Sequence, residues 1–98
     1  MQTVSATYEW PTLVDKVENV FGSTTILAHA LHQYRRATAC ADRGDYDGYT
    51  AARGGVEALT ELMAAEIRGI TAEDLAATLH NRVVDTVDFE NVNVRPLF

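Results

Sequence analysis

Three histidines, one cysteine and two serines are the residues of this chain best suited to bond chemistry. His29 and His32 stand one helical turn apart, a spacing that lets two imidazoles share a metal, and His80 would have to converge from elsewhere. Cys40 follows His32 by eight residues, which on a helix puts it roughly 12 Å further along the axis. No Glu-x-x-His pair occurs, so a di-iron carboxylate bundle has no support. Histidines on a solvated face are the simpler expectation, and no cofactor is expected. Cys40 sits beside alanines, as a small helix-packing residue does. Ser5 and Ser23 lack a Gly-x-Ser-x-Gly setting, and Ser23 is placed to cap a helix. No nucleophile, base and oxyanion set assembles, so we expect a protein that is not an enzyme.

The stretch "ADRGDYDGYTAARGGVEAL" (41–59) holds four of the six glycines and an Arg-Gly-Asp tripeptide known from cell adhesion. With Gly48 as the sixth residue of a calcium loop, Asp45 and Asp47 fall on ligand positions three and five. Position one is then Arg43 and position twelve Gly54, so the first acid and the bidentate glutamate are missing. The stretch is better explained as a turn. Gly44 is a natural helix C-cap and Asp45 a natural N-cap. "FGSTT" lacks the Asp-Ser-Leu of acyl carrier proteins. "GITAEDLAATL" suits the first helix of a helix-turn-helix, but "HNRVVDTVDFE" brings no turn glycine and turns acidic where a recognition helix is basic.

Four amphipathic stretches must position these residues. "TLVDKVENVFG" presents Leu13, Val14, Val17, Val20 and Phe21 on one face, with Thr12 and Asp15 at capping-box spacing and Gly22 placed to end the helix. "TTILAHALHQYRRATACAD", capped by Ser23, carries Leu27, Ala30, Leu31, Tyr34, Ala37 and Ala41. Its alanines imply close approach of a neighbouring helix. Tyr49, Ala52, Val56, Leu59, Met63 and Ile67 continue helical spacing to Gly69, although Gly48, Gly54 and Gly55 each cost about 1 kcal/mol there relative to alanine. Thr71 and Asp74 open a last helix with Leu75, Leu79, Val83 and Val87 as its stripe.

An alanine-rich helix end, then "RGDYDGY", then "VEAL", resembles the helical hairpin of tetratricopeptide repeats. The resemblance covers one hairpin with no second copy at a fixed period, and it implies only two antiparallel helices. The expected fold is therefore all-α: one domain over 1–98, a compact bundle of about four helices with a central antiparallel αα-hairpin. Short extended arms, 1–10 and 89–98, flank it.

Ninety-eight residues suffice for one core, and 47% hydrophobic with 22% charged residues is ordinary for a globular domain. A net charge of −6, with Arg35-Arg36 the sole adjacent basic pair, argues against nucleic acid as a partner. Seven arginines to one lysine, with abundant alanine, indicate a high-GC genome. One cysteine allows no internal disulfide, and "MQTVSATYEW" lacks the basic and apolar regions of a signal peptide, so we expect a cytoplasmic protein. No apolar run approaches the ~20 residues that span a bilayer, so no membrane association is expected.

By elimination the chain reads as a non-enzymatic protein–protein interaction module: an adaptor, assembly factor or inhibitor. Small motif-free proteins of this kind are common among phage and plasmid accessory proteins of high-GC bacteria. A metal- or cofactor-binding bundle using His29, His32 and His80 is one alternative, and a helix-turn-helix-like regulator is another. The tail is the first candidate contact surface, because Val92, Val94, Pro96, Leu97 and Phe98 crowd apolar groups where free tails are polar. It can dock on its own bundle, on a twin subunit or on a foreign partner. We expect a homodimer. His32, Arg36, Tyr46 and Glu57 on the helix surfaces are the second candidates.

Overall fold

The computed structural model describes residues 7–86 and 97–98. Four helices follow in order: α1 (Trp10–Phe21), α2 (Thr25–Asp42), α3 (Tyr46–Glu66) and α4 (Ala72–Thr86). No strand occurs among the described residues. The fold is the expected all-α bundle, with α2 and α3 as its closest pair and α4 packed across both. The arm residues 1–6 and 88–96, with Val92 and Val94 among them, lie outside the described residues, as does Val87.

Three helix boundaries depart from expectation, and one of them is α3, which ends at Glu66 with Ile67 extended at its C-cap, short of Gly69. α1 starts at Trp10, ahead of Thr12. Pro11 suits a first turn, where its missing N–H costs nothing, and no side chain caps the end at Glu9. Trp10 therefore belongs to α1, not to an arm. Thr24 stands at the N-cap of α2 without a side-chain bond, and Ser23, one residue further out, accepts from Thr25 N–H with its Oγ at 3.4 Å. Gly22 ends α1 at φ 75°, its N–H donating to the Glu18 carbonyl over 2.8 Å. The capping box of α4 is reciprocal: Asp74 N–H donates to Thr71 Oγ1 at 3.1 Å, and Thr71 N–H to Asp74 Oδ2 at 3.2 Å.

The core draws one stripe from each helix: Leu13 and Val17, then Leu27, Ala30, Tyr34 and Ala37, then Ala52, Val56 and Met63, then Leu75, Leu79 and Val83. Ile67 and Ile70 close it from the α3–α4 connection. Two expected stripe members lie outside. Phe21, one turn beyond Val17, takes the place against the core and leaves Val20 on the rim, 45% exposed. Ala41 is exposed and Cys40 buried in its stead. Gly48 lacks a side chain, so the first turn of α3 closes over Cys40; a Cβ there would stand 2.8 Å from the thiol sulfur. Gly55 serves α2–α3 contact in the same way, since its Cβ would meet Gln33 at 3.3 Å.

Three buried threonines, Thr38, Thr60 and Thr78, could have left hydroxyls unpaired in the core. Each donates to the carbonyl four residues back: Tyr34 at 3.1 Å, Val56 at 2.8 Å and Asp74 at 2.8 Å. Thr78 Oγ1 also accepts from Tyr8 N–H at 3.2 Å, which ties the chain ahead of α1 to α4. Arg82 adds to that tie, with its guanidinium 5.0 Å from the Trp10 ring centroid.

Candidate functional site

Tyr34 lies on the apolar stripe of α2, where its ring is fully buried and its hydroxyl needs a partner. Two partners come from far along the chain. Leu97 N–H donates to Tyr34 Oη over 3.4 Å. Tyr34 Oη in turn lies 3.0 Å from His80 Nδ1 on α4. The hydroxyl keeps a second lone pair beside the one that Leu97 N–H uses, so the His80 tautomer sets which of the pair donates. Burial pushes the Tyr34 phenol up to about 12; the Leu97 N–H opposes this and Tyr49 adds to it. Burial also holds His80 below the ordinary histidine range, in keeping with a neutral ring.

Arg53 on α3 completes the grip. Its Nε donates to the Leu97 carbonyl at 2.9 Å, and its guanidinium lies 4.5 Å from the centroid of the Phe98 ring. The two polar backbone atoms of Leu97 are thus held by side chains of two helices, while its side chain is 5% exposed in the core. Phe98 stays 53% exposed. Two cavities of about 300 Å³ border it. Glu73 and Ala76 of α4 border both; Glu57 and Glu61 border the first, His80 and Asn81 the second.

The sequence candidates distribute unevenly around this seat. Leu97 and Phe98 form it with the bundle of their own chain, one of the three docks open to the tail. Glu57 lines one of its cavities. His32, Arg36 and Tyr46 line neither; they are exposed elsewhere, Tyr46 at 76%. The structure does not unite the three histidines: His29 and His32 face solvent, His80 faces Tyr34, and no group of three metal-ligating side chains forms among the described residues. α4 runs unbroken through "HNRVVDT", so the turn of a helix-turn-helix is missing from that stretch. No helix among the described residues is long and apolar enough to cross a membrane.

The Arg-Gly-Asp tripeptide is structural. Gly44 has φ 77°, its N–H donates to the Ala41 carbonyl at 3.3 Å, and Asp45 N–H donates to the Cys40 carbonyl at 2.8 Å, a complete Schellman closure of α2. Asp45 then caps α3, its Oδ1 accepting from Gly48 N–H at 3.0 Å. Arg43 donates to Asp45 Oδ2 at 3.4 Å and to the buried Cys40 sulfur at 3.3 Å.

Arg53 and the pairing of Tyr34 with His80 were not legible in the sequence. A tyrosine on an apolar stripe announces a buried hydroxyl in search of a partner, and nothing local names that partner. Fold and site together define an all-α bundle in which α2 and α3 hold Leu97 and Phe98. No family model, curated protein or solved structure matches the chain.

Proposed function

We propose that this chain is a non-enzymatic interaction module, an adaptor, assembly factor or inhibitor that works by binding protein, and that it is homodimeric. One observation carries this reading: side chains from α2 and α3 hold the Leu97–Phe98 pair, and the phenylalanine is left half in water. The gripped leucine belongs to the core of its own bundle; the half-exposed aromatic stacked on a guanidinium beside it supports a binding role, because aromatic and arginine side chains are common anchors of protein interfaces. Tyr46, at 76% exposure, offers a second anchor at the opening of α3.

Light scattering over a range of micromolar concentrations tests the reading. We expect a dimer that dissociates on dilution and weakens in Phe98→Ala or Tyr46→Ala at unchanged helicity. A strict monomer at every concentration, unaltered by either substitution, would remove the homodimer.

A further inference from the structure

We infer that the seat Tyr34 and Arg53 form around Leu97 and Phe98 is a recognition site for a leucine–aromatic segment, and that a second copy of this chain supplies the segment by exchanging its residues 97–98. The inference rests on the interaction reading above and names its site and partner.

The contacts themselves are indifferent to which chain the segment belongs to. Tyr34 Oη reads an N–H, Arg53 Nε reads the carbonyl of the same residue, the core takes a leucine side chain, and the Arg53 guanidinium takes an aromatic ring. A twin chain presents the same four features in the same order. Reach permits the exchange: the ten residues between Thr86 and Leu97 can extend over roughly 33–36 Å, and the longest dimension of the molecule is 36 Å. Two seats filled by two arms give a closed, isologous pair with no contact left over. The surroundings also favour a second body over the segment alone, because two open cavities of about 300 Å³ each border Phe98. A neighbouring subunit that follows its own arm would cover both.

The partitioning between arms in their own seats and arms in a twin's seat is set by protein concentration against the effective concentration of the tethered arm. Exchange therefore dominates at high concentration, and dilution returns each arm to its own bundle. The seat stays filled in both states.

The test uses the unmodified chain. Isotope-labelled and unlabelled protein are mixed, unfolded, refolded together at millimolar concentration and examined by isotope-filtered NOE spectroscopy. We expect intermolecular contacts from Leu97 and Phe98 of one chain to Tyr34 and Arg53 of the other. Leu97→Ala removes the same contact from the closed and the exchanged forms, so it should lower the melting temperature of both while shifting the dimer dissociation constant by less than about tenfold. A second arm mixes Leu97→Ala, which keeps its seat, with Tyr34→Phe/Arg53→Ala, which keeps its arm. Association on mixing that exceeds either variant alone supports exchange. A dimer with only intramolecular contacts at the seat overturns the inference and leaves the interaction reading standing on another face. A monomer at millimolar concentration overturns the inference and the homodimer with it.

Discussion

The α2–α3 corner and the Leu97 seat each fix a bend or an end of the chain with a few hydrogen bonds, and their partners could hardly differ more in sequence distance. At the corner, Arg43, Gly44 and Asp45 find Cys40, Ala41 and Gly48, none more than five residues away. At the seat, Leu97 finds Arg53 at a separation of 44 residues and Tyr34 at 63, and Tyr34 finds His80 at 46. The corner needs only the local chain and forms as the hairpin closes. The seat exists only after α2, α3 and α4 have assembled, because each helix contributes one of its side chains. Its loss should therefore leave the helices intact, whereas loss of the corner should strain the hairpin itself.

The largest expected effect separates the two regions at the seat. Leu97→Ala removes most of a buried leucine side chain and should destabilise by at least about 2 kcal/mol. For a domain of this size that lowers the melting temperature by roughly 8 °C or more. Thermal melts followed by circular dichroism measure it. An unchanged melting temperature would mean that the segment contributes nothing to the folded bundle.

A smaller loss is expected at the corner. Gly44→Ala forces a Cβ into a left-handed conformation and should cost about 1–2 kcal/mol. Asp45→Ala should cost about 1 kcal/mol through the lost cap, and Asp45→Asn only a few tenths, since asparagine caps as well. Calcium should shift the melting temperature of none of these proteins. A calcium-dependent rise in the unmodified chain would restore Asp45 and Asp47 as ligands. The Gly48 N–H bond, first among its causes, holds Asp45 below the ordinary carboxylate range. Its contribution is present above about pH 3.8, the unfolded value, and is lost as pH falls through the lower folded value.

The smallest effect is a pH dependence that belongs to the seat alone. Burial lowers His80 in the folded chain, so the unfolded chain binds its proton first as pH falls below the ordinary 6.5. Stability from this group is complete above that value and declines through the window beneath it. Protonation makes Nδ1 a donor, and the pair then holds with the Tyr34 hydroxyl accepting. His80→Gln keeps a non-titrating acceptor available and should flatten the melting-temperature profile just below pH 6.5. A profile equally steep in the variant would assign the dependence to another group.

Much of this division was present in the sequence by itself. Gly22, Gly44, the Asp45 cap and the Thr71–Asp74 box act within a few residues, and the structure contains each of them. The stripes of α3 and α4 followed from periodicity, because a helix buries one face whatever it packs against. Only the tertiary structure decided that Cys40 and not Ala41 faces inward, that Phe21 displaces Val20 to the rim, and that Tyr34, Arg53 and His80 meet around Leu97. The physical reason is common to all three. Spacing tells which residues share a face, but a neighbour's missing Cβ, a larger competing side chain or a donor some fifty residues away is set by how the helices come together. No periodicity within one helix encodes that.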